Sequence, residues 1–336
     1  MKRTIAWLAA GLCLALSPLT AVAQDKLPIK IGFQSGDINV ILMYAVNTGL
    51  FEKNGLEVKT TQFPAGPAML PALAASEIDI AWMGEFPVVT GYSNGLPLEI
   101  LFMERIDKTN VRLSANPALG ISKVADLKGK KIGVAVGSTS HYHTLQALSQ
   151  NGLTPSDVTI VNLTPANMPP AYTAGQIDAA FVWEPNIGAV ERAGAKPIAT
   201  TDSLNMITGG VWVARKPFVA SNPETVKRFL TAWRQAQQNY KANPKEVRQY
   251  EAKRVHMSPE QFDLLIEGQK ASNPDFEEIL TANYMGAPGK ELDSKLMKHL
   301  QGIAAFLVQE KRIAAPPTDW AGIFNTKPIQ ALLASK

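Results

Sequence analysis

Short apolar runs alternate with polar loops and amphipathic stretches along most of the chain. Residues 29–34 are apolar enough to form a strand buried on both faces of a parallel sheet, and residues 40–46 are apolar enough for a buried helix. A second strand is predicted at 57–62, after which Pro67 is well placed to begin a helix. Strands alternating with helices in this way predict an α/β fold.

The same order of elements occurs twice, about one hundred residues apart. The segment KIGFQSG at residues 30–36 returns as KIGVAVG at 131–137, and ASEIDIA at 75–81 returns as AGQIDAA at 174–180. Each copy runs on to an acid at the matching position, Glu85 in the first and Glu184 in the second. Two α/β units with matching loops predict one cleft between two lobes.

Two crossings are expected to join these halves. Residues 112–117 are predicted to be an extended crossover, and residues 209–214 a return strand. We therefore expect lobe I over 24–112 and 212–336, and lobe II over 113–211. Beyond Pro217 the sequence is mainly helical, with strong helix starts at Asn222-Pro223-Glu224 and Ser258-Pro259-Glu260. These helices are expected to pack on lobe I; a third domain is the alternative.

The first residues are predicted to be a signal peptide. Lys2 and Arg3 precede an apolar run at 5–16, and the small-x-small pattern at 21–23 predicts cleavage near Ala23. We expect residues 1–23 to be removed and the rest to be exported without a membrane anchor. Cys13, the only cysteine, lies inside this leader. The exported chain would then have no thiol, which excludes disulfides, cysteine nucleophiles and cysteine metal sites.

Composition and motifs exclude several further classes. A formal net charge of +4 over 336 residues gives no electrostatic reason to expect a nucleic-acid partner. The glycines at 133 and 137 have the wrong spacing for a dinucleotide fingerprint. His141 and His143 would not face the same way on a helix, so a two-histidine metal site is not expected. No cofactor and no metal are predicted.

Three consecutive hydroxyls are the sharpest local signal. Ser138, Thr139 and Ser140 follow a glycine where a strand passes into a helix, so their side chains and the first N–H groups of the helix would converge on an anion. The alternative is that one hydroxyl simply caps the helix. Tyr142 follows two residues later, either reaching a ligand with its hydroxyl or packing in the core.

Further candidates come from the matching loops of the two halves. Glu85 and Glu184 should face the cleft, because ligands collect beyond the carboxyl ends of strands in open α/β sheets. Two carboxylates there would bind an ammonium group, with Trp183 enclosing the ligand; alternatively each acid caps a helix or ties the lobes together. Catalysis is not expected, since no nucleophile, histidine partner or metal accompanies them. The remaining candidates are first-half loop residues and an aromatic wall: Gln34, Asp37, Asn39, Gly66 and Phe86.

The chain resembles the periplasmic substrate-binding proteins of ABC importers for nitrate, sulfonates and taurine. The motifs that carry the resemblance are DLKGKKI at 126–132, GSTSHY at 137–142 and IDAAFVWEP at 177–185, and the STSHY stretch is most similar to the taurine branch. This resemblance implies a type II clamshell of two doubly wound α/β lobes joined by two crossover strands. It also implies a periplasmic monomer that captures a sulfonate-type anion (taurine, an alkanesulfonate or a sulfate ester) and delivers it to a membrane permease.

The resemblance assigns roles to particular residues and leaves alternatives open. Ser138 to Ser140 and Tyr142 match the family's sulfonate-contacting loop, and Trp183-Glu184 match its aromatic-acid wall. Taurine binders carry an aspartate for the amine two residues before the return-strand tryptophan, where this chain has Gly210. Either Glu184 or Glu85 replaces it, or the ligand has no amine. Other functions left open are a nitrate or thiamine-precursor binder, a non-cysteine hydrolase and a sensor.

Overall fold

The computed structural model describes residues 26–335. The predicted signal peptide and Cys13 lie outside these residues. Within them, the chain forms two five-stranded sheets. The strands are β1 (Leu27–Gln34), β2 (Leu56–Phe63), β3 (Ile80–Gly84), β4 (Leu98–Asp107), β5 (Val111–Ala115), β6 (Lys131–Val134), β7 (Thr159–Asn162), β8 (Ala179–Trp183), β9 (Lys196–Thr200) and β10 (Thr208–Arg215).

The two sheets have the same topology, as the sequence repeat predicts. The first has the order β2-β1-β3-β10-β4 and the second β7-β6-β8-β5-β9. In each, four strands run in the same direction and the fifth runs antiparallel between its neighbours: β10 in the first sheet and β5 in the second. That antiparallel strand is the one that enters from the other half of the chain.

The connections between the sheets are short. Residues 108–110 lead from β4 to β5, and residues 201–207 lead from β9 to β10. Residues 112–115 of the predicted extended crossover thus belong to β5, a strand of the second sheet, whereas Pro117 begins a short 3-10 turn. β5 begins at Val111 and β10 at Thr208, a few residues before the positions 113 and 212 at which we expect the lobes to change; the lobe boundaries themselves stay a prediction.

Helices flank both sheets. They are α1 (Val40–Asn47), α2 (Leu50–Lys53), α3 (Met69–Ala74), α4 (Glu85–Ser93), α5 (Thr139–Gln150), α6 (Met168–Thr173), α7 (Asn186–Arg192), α8 (Lys216–Ser221), α9 (Pro223–Ala242), α10 (Pro244–Arg254), α11 (Pro259–Gly268), α12 (Phe276–Ile279), α13 (Lys295–Gln309) and α14 (Lys327–Ala334). Pro223 and Pro259 occupy first helical positions, where a missing N–H costs nothing. Among residues 26–335, no helix is both long and apolar enough to cross a bilayer.

The C-terminal helices pack on the first sheet and enclose an aromatic core. α9 contacts β1 and β2, and α13 contacts α4. Trp212 on β10 is fully buried and lies 4.8 Å, centroid to centroid, from Trp233 on α9. Phe102 on β4 packs against both rings. Trp212 is therefore a core residue, because the long helix α9 covers that face of the sheet.

Candidate functional site

A cavity lies between the two lobes, where the ends of β3 and β4 and the start of β10 face the start of α5 and the end of β8. Seven of the predicted site residues line it: Gln34, Asp37, Gly66, Ser138, Thr139, Ser140 and Trp183. The other lining residues were not predicted: Trp82, Gly84, Pro87, Arg105, Asp107, Asn110, Val111, Thr208 and Gly209. Their ligand-binding roles are predictions, and the geometry below describes what each one offers.

The start of α5 presents hydrogen-bond donors to the cavity. Ser138 is at the N-cap position, but its hydroxyl does not cap the helix. It donates to the carbonyl oxygen of Ala135 at 2.7 Å and lies 3.0 Å from the hydroxyl of Ser140. The Thr139 hydroxyl is buried and has no hydrogen-bond partner among residues 26–335. Because the first N–H groups of a helix also lack intrahelical partners, this end of α5 has unused donors for an anion.

Direct contacts join the lobes on both sides of the cavity. The Trp183 indole N–H donates to the carbonyl oxygen of Gly36 at 2.6 Å, and the Asn186 side chain donates to the same oxygen at 2.8 Å. Gly84 ends β3 opposite Thr139, and a Cβ atom on Gly84 would lie 2.3 Å from the Thr139 hydroxyl oxygen. Glycine at this position therefore lets the lobes approach, and the structure has the closed arrangement.

Hydrogen bonds of the Gln34 and Asn39 side chains hold the loop that follows β1 in the first lobe. Gln34 accepts a hydrogen bond from the Gly66 N–H at 2.6 Å and donates to Asp37 at 3.3 Å. Asn39 does not line the cavity: its side-chain amide donates to the carbonyl oxygens of Gln34 and Asp37, at 3.1 Å each. Asn39 thus shapes the loop that presents the other residues. This local role could not be separated from ligand contact by sequence alone, because amides serve both equally well.

A buried charge cluster at the end of β4 was missed by the sequence analysis. The Arg105 guanidinium donates through Nε to Asp107 at 3.0 Å and through Nη2 to Asp37 at 2.8 Å. Its Nη1 donates to the Ile38 carbonyl oxygen at 2.6 Å, and the guanidinium carbon lies 4.8 Å from the centre of the Trp82 ring. A signal was present in the sequence: charged residues inside an apolar strand need buried partners or a function.

Burial and mutual repulsion shift the protonation equilibria of this cluster. Burial raises the pKa of Asp37 to about 6, although the Arg105 guanidinium acts to lower it. Burial likewise raises the pKa of Glu104 to about 7, and its carboxylate accepts from the Trp212 indole at 2.8 Å. For Arg105, burial disfavours the charge, but the carboxylates of Asp107 and Asp37 more than offset it, so its pKa is raised. The guanidinium is therefore charged.

The two matching acids are not brought together in the cavity. Glu85 is fully buried as the first residue of α4, and its Oε1 lies 3.0 Å from Nε2 of His299. Glu184 pairs with Arg112 at 2.5 Å, and Arg112 also pairs with Glu191 at 2.8 Å. Each acid thus has a cationic or ionisable partner that is distant in sequence. Neither acid lines this cavity, and these pairings could not be predicted from the repeat; a ligand-binding role for the two acids stays a prediction.

Two aromatic candidates, Tyr142 and Phe86, pack beside the site and do not line the cavity. Tyr142 stacks against Phe86 with ring centres 5.6 Å apart and meets Phe306 edge-on at 4.9 Å. Burial raises the pKa of Tyr142 to about 12. His143, the next residue, is fully buried, and burial lowers its pKa to about 3. Within residues 26–335, no group of three His, Cys, Asp or Glu side chains is arranged to hold a metal ion.

Gly210 is packed against an aromatic ring. A Cβ atom there would lie 2.3 to 2.7 Å from atoms of the Trp82 indole. The indole therefore fills the space that a side chain two residues before Trp212 would need. The Trp82 N–H is buried and without a hydrogen-bond partner in the described part of the chain. A side chain at position 210 that could contact an amine is thus excluded by packing, and Trp82 contributes an unused donor beside the cavity.

Two solved structures with the same architecture are sulfonate-binding proteins. The alkanesulfonate-binding protein SsuA from Xanthomonas axonopodis pv. citri, bound to MOPS, has a TM-score of 0.71 at 22% identity, covering 90% of this chain and 99% of that one. The periplasmic aliphatic sulphonate binding protein SsuA from Escherichia coli has a TM-score of 0.70 at 23% identity, covering 89% and 98%. The predicted two-lobed α/β fold is confirmed.

Sequence comparison then identifies the family. The model of the NMT1/THI5-like family matches residues 39–247, which is more than half of the chain. The chain belongs to the NMT1/THI5-like family. The taurine-binding periplasmic protein of Escherichia coli (strain K12) is 30% identical over 323 residues, covering 89% of this chain and 95% of that protein. The resemblance to sulfonate and taurine binders stated from the motifs is confirmed.

Proposed function

We propose that this protein is the periplasmic solute-binding component of an ABC importer, and that it captures a small sulfonate-type anion in the cavity between its lobes. The fold and the family support a binding role, since the relatives named above bind taurine or alkanesulfonates. Delivery of the captured solute to a membrane permease is part of the proposal. So is export through the predicted signal peptide at residues 1–23.

One observation carries the choice of an anion. The Thr139 hydroxyl and the Trp82 indole N–H are buried at the cavity without a hydrogen-bond partner among residues 26–335, and the 12-residue α5 begins there. A sulfonate has three oxygens that accept hydrogen bonds, and hydrogen bonds to a charged group are stronger than those between neutral groups. The positive end of the helix dipole favours the same charge.

Binding is expected to be coupled to closure of the two lobes. Thr139 and Trp183 belong to the second half of the repeat, whereas Trp82 and Gly36 belong to the first. A ligand that contacts both halves favours the arrangement in which they meet, because a ligand shifts an equilibrium by its differential affinity for the two states. The hydrogen bond from Trp183 to Gly36 crosses the cleft and would form only on closure.

The proposal is a binding role without catalysis. Thr139 has no general base within hydrogen-bond distance among the described residues, and the imidazole of His141 lies next to the Gly137 N–H at 3.4 Å. A direct check is to incubate the purified protein with methyl sulfate and to measure released inorganic sulfate. Release above the rate in buffer would contradict a purely binding role and favour the hydrolase alternative.

Isothermal titration calorimetry tests the ligand class. The leader-free protein is titrated separately with taurine, ethanesulfonate, methyl sulfate and nitrate. Saturable binding of a sulfonate or sulfate ester at one site, with nitrate much weaker, supports the proposal. No binding to any sulfur-containing anion, or binding of nitrate alone, contradicts it. X-ray scattering of the same samples should show a smaller radius of gyration with the bound compound, as closure requires.

A further inference from the structure

The charges that line the cavity do not balance. Among residues 26–335, the charged side chains of the lining are Asp37, Arg105 and Asp107, two carboxylates and one guanidinium. All three are buried. Three of the five guanidinium N–H groups donate to protein acceptors, one from each nitrogen, so Arg105 holds this cluster together. The lining therefore has one carboxylate more than it has cations.

The carboxylate in excess is that of Asp107. Both carboxylate oxygens of Asp37 are used: Oδ1 accepts from Arg105 and from the Ile38 N–H, and Oδ2 accepts from Gln34. Asp107 differs, because only its Oδ2 accepts, from Arg105 at 3.0 Å and from Asn110 at 3.3 Å. Its Oδ1 is buried and has no hydrogen-bond partner in the described chain.

A buried carboxylate oxygen without a donor is costly, and a cationic donor is the group that compensates it best. We infer that Asp107 receives the cationic nitrogen of a zwitterionic ligand whose anionic head lies at the start of α5. This inference rests on the proposed function and narrows its ligand class to small aminosulfonates. It also places the amine contact on β4, next to the return strand, since Asp107 is the register partner of Thr208.

The cavity offers different partners to the two charges of such a ligand. Neutral donors, the Thr139 hydroxyl and the Trp82 N–H, remain for the anionic head, and the Asp107 carboxylate remains for the cation. An alkanesulfonate without an amine would be buried beside Asp107 and would leave the Oδ1 atom of Asp107 unpaired. Selectivity for the amine then follows from desolvation, because a site built for a hydrogen-bonding group rejects analogues that lack it.

The test compares taurine with 2-hydroxyethanesulfonate, which replaces the ammonium by a hydroxyl. Calorimetry on the leader-free protein should show taurine binding at least about tenfold more tightly, as expected for a hydrogen bond between charged groups. Asp107→Asn should lower taurine affinity by a similar factor and leave the affinity for 2-hydroxyethanesulfonate unchanged or higher. Asp202→Asn is the control, because Asp202 is exposed and does not line the cavity; it should change neither affinity.

The outcomes separate this inference from the proposed function. The role of Asp107 is overturned if the unmodified protein binds the two compounds with equal affinity, or if Asp107→Asn lowers both affinities equally. Either result leaves the proposed sulfonate binding intact. Binding of neither compound overturns both. If Asp107→Asn does not fold, the unmodified protein is titrated as pH rises through the pKa of the taurine ammonium. Taurine affinity should then fall while that of 2-hydroxyethanesulfonate does not; parallel behaviour of the two compounds overturns the inference.

Discussion

The Thr139 hydroxyl offers the most direct test of the anion site. Thr139→Val removes the hydroxyl and keeps the branched shape, so the cavity and the approach of Gly84 are preserved. If the hydroxyl donates to the sulfonate, its loss should cost about 1.5–3 kcal/mol, the range for hydrogen bonds to charged groups. That free energy corresponds to a roughly 10- to 150-fold increase in the taurine dissociation constant. The stability of the unliganded protein should hardly change, since this hydroxyl has no partner among residues 26–335.

The matched control is Thr144→Val on the same helix. The Thr144 hydroxyl donates to the carbonyl oxygen of Ser140 at 2.8 Å and does not line the cavity. Its removal should lower the free energy of unfolding by about 0.5–1.5 kcal/mol and leave the dissociation constant unchanged. Calorimetry and denaturant unfolding measure the two effects separately. Unchanged taurine binding by Thr139→Val, or an equal loss of binding in both variants, would refute the assignment of the anion to the start of α5.

Three further predictions test closure and protonation. Gly84→Ala should weaken taurine binding by calorimetry, because its Cβ would meet the opposite lobe, whereas Gly302→Ala, in open space on α13, should leave binding unchanged. Trp183→Phe should weaken binding by about 0.5–1.5 kcal/mol and reduce ligand-induced compaction in X-ray scattering, since the cross-cleft hydrogen bond is lost. His143→Gln should reduce the acid sensitivity of the unfolding free energy, and His256→Asn, an exposed control, should not.

The burial of His143 determines whether acidification raises or lowers the free energy of unfolding. The pKa of His143 is lowered from 6.5 to about 3, so between these values the unfolded chain binds more protons than the folded one. Stability therefore rises with pH across this window and falls on acidification. Removing the imidazole removes that contribution, and glutamine can still donate to the Ile207 carbonyl oxygen, which lies 3.1 Å from Nε2. Equal acid sensitivity before and after the substitution would contradict the assignment.

Much of the fold could be predicted from local patterns. The repeat of KIGFQSG as KIGVAVG marks the first strand and loop of each half, and the structure places β1 and β6 there. Ser138 to Ser140 were singled out because hydroxyls at a strand-to-helix junction have a local physical consequence. Such features depend on residues that are close together in the chain, so the sequence alone is enough to predict them.

The charges at the site depend on contacts between distant parts of the chain. Arg105 meets Asp37 across 68 residues, and Glu85 meets His299 across 214. The repeat predicted both acids in the cleft, but their positions relative to other side chains depend on how strands and helices pack. By itself the sequence determined the duplicated α/β elements and the three consecutive hydroxyls at residues 138–140. Only the tertiary structure decided which carboxylate keeps an unpaired oxygen, because pairing in a buried site depends on distances between elements that are far apart in sequence.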